Sequence, residues 1–197
     1  VLYANIDGFD PTKYTLDRES LSVMDKWILS KLNSAVKSVD NMLASYKITE
    51  ATRVLEDFVD QLSNWYVRRS RERFWVKDMP TDKINAYLTL YNCLVTIAKT
   101  SAPMIPFMTE DIYRNLVCSV DKDAPESVHL CSFPEVDESM IDKALEEDMH
   151  YVVDVVVLGR AARNGSTMKN RQPLSVMYIK SDRTVGDFYC DIIAEEL

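Results

Sequence analysis

The stretch from Asn64 to Trp75, NWYVRRSRERFW, closes a run of sequence that has the hydrophobic period of an α-helix. The apolar residues of this run recur at spacings of three and four, as on one buried helix face. They are Ala51, Val54, Leu55, Phe58, Val59, Leu62, Trp65 and Tyr66. The stretch itself brings four arginines, two tryptophans, a tyrosine and a phenylalanine into twelve positions. This mixture of cations and flat rings is typical of surfaces that bind phosphates and unstacked bases.

A helical projection divides the polar residues of this stretch between two faces. At about 100° per residue, Arg69 and Arg73 fall on or near the core side, where we expect structural ion pairs or an interdomain contact. A second stripe holds the candidates for contact with RNA, which are Asn64, Arg68, Arg71 and Trp75. The competing interpretation is a solvated arginine face, with Trp75 capping the helix end against the rest of the protein.

The composition favours an all-α fold. The chain has 197 residues, of which 47% are hydrophobic, and only 4 glycines and 7 prolines. This is enough apolar material for one large domain, and it provides few turn formers for a β-rich fold. No run of eighteen apolar residues occurs, so we expect no membrane-spanning helix.

The hydrophobic period predicts about five helices. The first ends at Tyr46, the second runs through the central stretch to Trp75, and the fifth ends at Arg163. The predicted N-caps, in chain order, are Ser20 or Ser22, Thr49, Thr81, Thr109 and Ser139. The side chains predicted to lie inside the bundle are Trp27, Leu32, Phe58, Leu62, Tyr91 and Leu116.

We expect three segments along the chain. Residues 1–18 form an extended lead-in, residues 19–166 form the helical bundle, and residues 167–197 begin a small α/β appendage. In the appendage, Leu174–Lys180 alternates as a strand does, and Thr184–Leu197 suits a short helix. The chain starts at Val1 without an initiator methionine, which we interpret as a piece of a longer protein.

The charge of the chain is acidic overall but basic locally. The formal net charge is −8, and Glu135–Asp154 holds eight acidic residues and one lysine. In contrast, Arg68–Arg73 has four arginines and one glutamate, and Arg160–Arg171 has four cations and no acid. Because binding depends on the local field at the contact, these basic stretches remain compatible with RNA.

The residues that usually mark catalysis or metal binding are scattered. Cys93, Cys118, Cys131 and Cys190 form no CxxC pair, so we predict no zinc site and expect reduced thiols of a cytoplasmic protein. The four glycines form no phosphate-binding loop. His129 and His150 have no partner for a catalytic triad. We therefore predict no catalytic residue, cofactor or metal in this chain.

The central stretch also carries a resemblance to a known family. NWYVRRSRERFW resembles the anticodon-binding domain of the isoleucyl-tRNA synthetases, which are class I aminoacyl-tRNA synthetases. Further matching motifs occur in the same order along the chain. They are YANIDGFDP at 3–11, MDKWILSKLN at 24–33, SAPMIPFMTEDIY at 101–113, LGRAARN at 158–164 and RQPL at 171–174.

This resemblance implies a tRNA-binding module. The parent protein would be a cytoplasmic ligase that joins isoleucine to its tRNA with ATP and magnesium, and this domain would hold the anticodon stem-loop. The class I motifs HIGH and KMSKS are absent from the chain, so we expect ATP to bind only in a separate catalytic domain and this piece to be inactive. The expected partners are isoleucine tRNA and that catalytic domain, with no DNA, no membrane and a monomeric state.

The basic stretch near the end of the fifth helix is a second candidate for tRNA contact. Its four cations are Arg160, Arg163, Lys169 and Arg171. Residues 164–170 depart from the more basic form that the resemblance implies, so intramolecular pairing with the preceding acidic stretch stays an alternative. For the whole chain, the alternatives are a valyl- or leucyl-tRNA synthetase domain and a helical protein-interaction scaffold, because Arg and Trp are also favoured at protein interfaces.

Overall fold

The computed structural model describes residues 2–166 and 172–197, and it is helical in both parts. The α-helices are α1 Leu2–Ile6, α2 Val23–Ala44, α3 Ile48–Gln61, α4 Arg71–Trp75, α5 Thr81–Ser101, α6 Pro106–Tyr113, α7 Lys143–Gly165 and α8 Asp187–Glu196. Two π-helical segments, Leu62–Val67 and Arg114–Cys118, continue α3 and α6. No strand occurs among the described residues. The predicted all-α class is confirmed.

The chain forms two compact units, residues 1–141 and residues 142–197. The first holds α1 to α6, and the second holds α7 and α8. The predicted segment boundaries at residues 18 and 166 stay predictions, and residues 167–171 lie outside the described part of the chain.

Helix α2 is the central helix of the first unit and packs against α3 and α5. It begins with a capping box, in which the Ser22 side chain accepts from the Asp25 amide and the Asp25 carboxylate accepts from the Ser22 amide. Of the two predicted caps, Ser22 is therefore the cap. Trp27 and Leu32 lie on the buried side of the helix, as predicted.

The second predicted helix is present, but it is not continuous. Helix α3 begins at Ile48 and has no side-chain cap, so the predicted cap at Thr49 is wrong. After Gln61 the backbone widens into the π segment, and a turn at Ser70 then separates it from the short helix α4. Hydrophobic period does not reveal such a break, because one extra residue in a turn leaves most of the apolar face buried.

Helices α5 and α6 begin earlier than their predicted caps imply. Thr81 is the first residue of α5, after Pro80, and does not cap it. Helix α6 begins at Pro106, because proline is favoured at the first helical position. Thr109 is buried within α6, and its hydroxyl donates to the carbonyls of Ile105 and Pro106. The prediction that Thr109 caps this helix is therefore wrong.

The connection from α6 to the end of the first unit is tied down by side chains. Glu110 of α6 accepts hydrogen bonds from the Ser127 hydroxyl at 2.8 Å and the Val128 amide at 3.0 Å. Ser139 lies in a 3-10 turn, where its amide donates to Asp137, and so it does not cap the fifth predicted helix.

The lead-in packs against α5 through buried polar side chains. Lys83, which is almost fully buried, pairs with Asp7 at 2.7 Å, and the Tyr87 hydroxyl donates to the same carboxylate at 2.6 Å. Further along the lead-in, the buried amide of Asn85 accepts from the Asp17 amide and donates to Ser20. The lead-in is thus fixed by specific partners. The prediction that it is extended is wrong, because it contains α1 and a 3-10 turn at Pro11–Lys13.

The second unit consists of α7, α8 and the segment between them. Asp142 caps α7 by accepting from the Leu145 amide at 3.0 Å. Gly159 allows Leu197 to approach, since a Cβ built on Gly159 would overlap a methyl carbon of Leu197. Leu174–Lys180 forms no hydrogen-bonded strand, and the strand prediction is therefore wrong for these residues. A strand needs a partner strand.

The core predictions are confirmed for four of six side chains. Trp27, Leu32, Phe58 and Leu62 are buried. Tyr91 and Leu116 are only half-buried, because they line a groove whose other wall includes Phe9 of the lead-in.

Candidate nucleic-acid interface

All four side chains of the predicted RNA stripe are exposed. Asn64 and Arg68 lie on and directly after the π segment, and Arg71 and Trp75 are the first and last residues of α4. Trp75 is 53% exposed, which leaves much of its indole ring accessible. Hereafter these four residues are called the reading stripe.

The first half of the reading stripe is organised by contacts one turn apart. The side-chain amide of Asn64 donates to the Asp60 carboxylate at 2.6 Å. The Arg68 Nε donates to the backbone carbonyl of Asn64 at 2.8 Å. These contacts align Asp60, Asn64 and Arg68 along one exposed line of the helix.

The second half is organised around an aromatic ring. The Arg71 guanidinium carbon lies 5.8 Å from the centroid of the Trp75 ring, which is within cation–π distance. Tyr3 of the lead-in meets the same ring edge to face, with the centroids 6.3 Å apart. Tyr3 and Trp75 line a shallow groove whose wall also carries Lys77. This half therefore combines a stacking surface with cations.

The two halves belong to different helical segments. The π segment and the turn at Ser70 lie between Asn64 and Trp75, so a projection at about 100° per residue does not hold across them. The structure brings Asn64 together with Arg68, and Arg71 together with Trp75.

Arg73, which the projection assigned to a structural role, forms the ion pairs expected of it. Its guanidinium makes two parallel hydrogen bonds to Asp25 and two more to the carboxylate of Asp82, each 2.8 Å long. Asp25 is fully buried, and its carboxylate also accepts from the Tyr66 hydroxyl at 2.6 Å. Hereafter Asp25, Tyr66 and Arg73 are called the buried clamp.

The buried clamp changes the proton affinities of its members. Burial by itself would raise the pKa of Asp25, but hydrogen bonds from Arg73 and Tyr66 hold that pKa below its ordinary value. Burial and the neighbouring Asp25 charge raise the pKa of Tyr66 well above its ordinary value. The clamp therefore contains a charged carboxylate, a charged guanidinium and a neutral phenol at physiological pH. Its three residues join α2, the π segment and α4.

The basic stretch is placed less favourably for contact with phosphate. Arg160 is half-exposed and pairs with Glu196 at 2.5 Å. Arg163 is only 7% exposed, and its guanidinium donates to the Gln172 carbonyl at 3.0 Å. Lys169 and Arg171 lie outside the described residues.

The described residues form neither a metal-binding cluster nor a membrane-spanning helix. No group of three or more His, Cys, Asp or Glu side chains there is arranged to hold a metal ion. Among the same residues, no helix is long and apolar enough to cross a membrane.

Sequence reasoning missed two acids that organise this surface. Asp25 was not predicted as the partner of Arg73, because 48 residues separate them and only packing brings them together. Asp60 was also missed. It lies four residues before Asn64, and side chains at this spacing are neighbours on a helix, so the spacing could have indicated the pair.

Comparison with known proteins places the chain in a family. A family model described as the anticodon-binding domain of tRNA ligase matches residues 25–178, which include both halves of the reading stripe and the buried clamp. The chain belongs to this family. The members most similar to it include the isoleucine–tRNA ligases of Clostridium novyi, Clostridium acetobutylicum and Clostridium tetani, at 58%, 55% and 53% identity over the whole chain. The chain spans 19% of the length of each of these relatives.

Proposed function

We propose that this chain is the anticodon-binding domain of an isoleucine–tRNA ligase and that it binds the anticodon stem-loop of isoleucine tRNA. The observation that carries the proposal is the identity of 53% or more, over all 197 residues, with isoleucine–tRNA ligases of three Clostridium species. The order of motifs along the chain, from residues 3–11 to residues 171–174, supports the same specificity.

The proposed mechanism is binding without bond chemistry. Arg68 and Arg71 can bind phosphate through forked N–H donors or stack on a base. Asn64 offers a donor and an acceptor to a base edge, and Trp75 offers a stacking plane worth roughly 1–3 kcal/mol per base. Exposure of all four side chains supports this role. Binding at this surface would align the acceptor end of the tRNA with a distant catalytic site.

The basic stretch is proposed to assist without reading sequence. Arg160, Lys169 and Arg171 would contact phosphates, and Arg163 would support the local backbone through Gln172. Replacing Lys169 and Arg171 by alanine should weaken the binding of all tRNAs equally and flatten the dependence of affinity on salt. A loss confined to one tRNA would contradict the phosphate assignment.

The reaction itself is proposed to belong to a longer, cytoplasmic protein. Its catalytic domain would bind ATP and magnesium and activate isoleucine, since this chain has neither class I signature motif. We expect no isoleucine-dependent ATP–pyrophosphate exchange by the chain alone. Exchange above a buffer control, in protein freed of the host enzyme, would contradict this expectation.

The decisive experiment is a titration of the chain with isoleucine tRNA and with the same tRNA carrying another anticodon. We expect salt-sensitive binding that favours the isoleucine anticodon, and weaker binding by Asn64→Ala and Arg68→Ala at unchanged thermal stability. If the chain binds neither RNA, the result favours the alternative that the chain is a helical protein-interaction scaffold. If both variants bind both RNAs as the parent does, the reading stripe is not the binding surface.

A further inference from the structure

We infer that Asp60 is a positioning residue that fixes the Asn64 amide so that this part of the reading stripe prefers a base with an exocyclic amino group. The inference rests on the proposed function, because it concerns how the same surface chooses among RNA bases. It begins from the 2.6 Å contact between the Asn64 amide nitrogen and the Asp60 carboxylate.

The chemistry of the two groups determines which way the amide points. An ionised carboxylate only accepts hydrogen bonds, whereas an asparagine amide has one accepting oxygen and one donating nitrogen. Only the NH2 of Asn64 can therefore face Asp60, and the opposite orientation would bring two oxygens together.

The consequence is a defined pattern of donors and acceptors toward solvent. With its NH2 held by Asp60, Asn64 presents its Oδ1 as an acceptor, and the second amide hydrogen remains beside it as a donor. An asparagine that presents this pair is complementary to adenine, which offers an amino donor next to a ring-nitrogen acceptor.

The charges around Asn64 favour a base over a phosphate at this position. Exposed Glu56, Asp57 and Asp60 lie on α3 on the N-terminal side of Asn64, and these acids repel phosphate. Arg68 and Arg71 lie on the C-terminal side. Asp60 and Arg68 are eight residues apart, roughly 12 Å along a helix axis. We therefore place a base over Asp60 and Asn64 and the RNA backbone over the arginines.

The preference follows from which bases carry an amino group. Adenine and cytosine present amino donors at one corner of their Watson–Crick edges, guanine presents one at the other corner, and uracil presents a carbonyl oxygen where cytosine has its amino group. In the pose of adenine or cytosine, a carbonyl oxygen in place of the amino group would face the Asn64 Oδ1, and the two acceptors would repel each other and stay unpaired. Uracil should therefore bind poorly in this pose, and it pairs with Asn64 only by turning its N3–H toward Oδ1.

The test removes a single amino group from the RNA and, separately, the negative charge of Asp60 from the protein. In unmodified anticodon stem-loops of isoleucine tRNA, each adenosine is replaced in turn by purine riboside, each cytidine by 2-pyrimidinone riboside and each guanosine by inosine. Dissociation constants are measured for the parent chain and for Asp60→Asn, which keeps the size of the side chain but no longer forces the amide orientation.

We expect one such replacement to weaken binding by the parent roughly tenfold, the value of one hydrogen bond. The same replacement should weaken binding by Asp60→Asn less than about threefold. The amino-group deletion in the RNA and the Asp60→Asn substitution in the protein would then be energetically coupled. Asp60→Glu, which restores a carboxylate, should recover most of the parent preference. Thermal unfolding of each variant checks that the fold is unchanged.

The matched control is Asp57→Asn. Asp57 lies on the same helix and accepts from the Gln61 amide at 2.7 Å, which is the same kind of i, i+4 pair, but it does not contact Asn64. This variant should keep the tenfold preference. If removing one acid acted only through its charge, Asp57→Asn and Asp60→Asn would change tRNA affinity by similar amounts. Both variants would then still lose about tenfold in affinity when the amino group is removed from the RNA.

Each outcome decides between this inference and the proposed function. If the parent binds the stem-loop but no amino deletion weakens binding, the inference is overturned and the proposed function stands. If Asp60→Asn keeps the tenfold preference, Asp60 does not position Asn64 and the inference is again overturned. If the parent binds no anticodon stem-loop, the proposed function fails and the inference fails with it.

Discussion

Arg71 and Arg73 lie two residues apart in α4, yet their guanidinium groups are in opposite surroundings. Arg73 is 18% exposed and is held by the fully buried Asp25 carboxylate, whereas Arg71 is exposed beside the face of Trp75. The buried clamp and the reading stripe are therefore built from the same short stretch of sequence. The difference shows that one arginine of a short segment, Arg73, can fix the position of a helix while another, Arg71, stays exposed to solvent.

The largest effect should come from breaking the buried clamp. Asp25→Ala leaves the Arg73 guanidinium without its buried partner, and we expect a loss of about 3–5 kcal/mol in the free energy of unfolding. Asp82→Ala is the control, because Asp82 contacts the same guanidinium but is 56% exposed, and it should cost at most about 1 kcal/mol. Chemical denaturation measures the free energy of unfolding of both variants. Equal losses for Asp25→Ala and Asp82→Ala would contradict the distinction between the buried and the exposed ion pair.

A slightly smaller effect is expected from the core beneath the reading stripe. Leu62, the first residue of the π segment, is buried, and Leu62→Ala should cost about 2–5 kcal/mol because a cavity adds to the lost transfer energy. Val59→Ala, at a position that is 47% exposed, should change stability by less than about 0.5 kcal/mol. An unchanged denaturation midpoint for Leu62→Ala would show that this turn carries little of the core energy.

The third prediction concerns the Tyr66 hydroxyl and pH. Since the pKa of Asp25 is lowered in the folded protein, its stabilising contribution is present above its unfolded pKa, near 3.9, and is lost as the pH falls through the folded pKa. Tyr66→Phe removes one hydrogen bond that lowers this pKa. We expect it to cost about 1.5–3 kcal/mol at neutral pH and to move acid unfolding to higher pH.

Chemical denaturation at pH 7 measures the loss in the free energy of unfolding of Tyr66→Phe, and circular dichroism between pH 2 and pH 7 measures its acid unfolding. Tyr87→Phe is a matched control, because the Tyr87 hydroxyl donates to Asp7, which is outside the clamp. If acid unfolding of Tyr66→Phe occurs at the parent pH, the hydroxyl does not stabilise the Asp25 charge.

The smallest expected effect is on tRNA affinity at the exposed arginine. Arg71→Ala should weaken tRNA binding roughly tenfold, about 1.4 kcal/mol, and reduce the slope of log affinity against log salt by about 0.7–0.9. Thermal stability should be unchanged, because exposed substitutions usually have small effects. Arg53→Ala, an exposed arginine on α3 outside the reading stripe, is the control. A larger effect of Arg53→Ala on affinity would move the binding surface along α3.

Much of the fold could be predicted because its signals are local. The apolar positions of α2, α3 and α5 recur with the helical period, and the assignment of Arg73 to the core side needed only that period. Helix starts were predicted less well. Thr109 was read as a cap because threonine is favoured there, but Pro106 three residues earlier is equally suited to begin a helix.

The candidate site was predictable in its residue types but not in its geometry. The exposure of Asn64, Arg68, Arg71 and Trp75 agrees with the helical projection. Their separation into two halves depends on the π segment and the turn at Ser70, which the period of the apolar residues does not record. The burial of Arg163 also could not be predicted, because it depends on where the chain returns at Gln172.

The sequence by itself determined that this protein is helical, that it belongs with the anticodon-binding domains and that its twelve-residue stretch has a core side and an exposed side. These features follow from period, composition and motif order, which neighbouring residues encode. Only the tertiary structure decided that Asp25 is the partner of Arg73 and that Lys83 is buried against the lead-in. Such pairs join residues far apart in the chain, and packing of several helices selects one partner among many acids of equal chemistry.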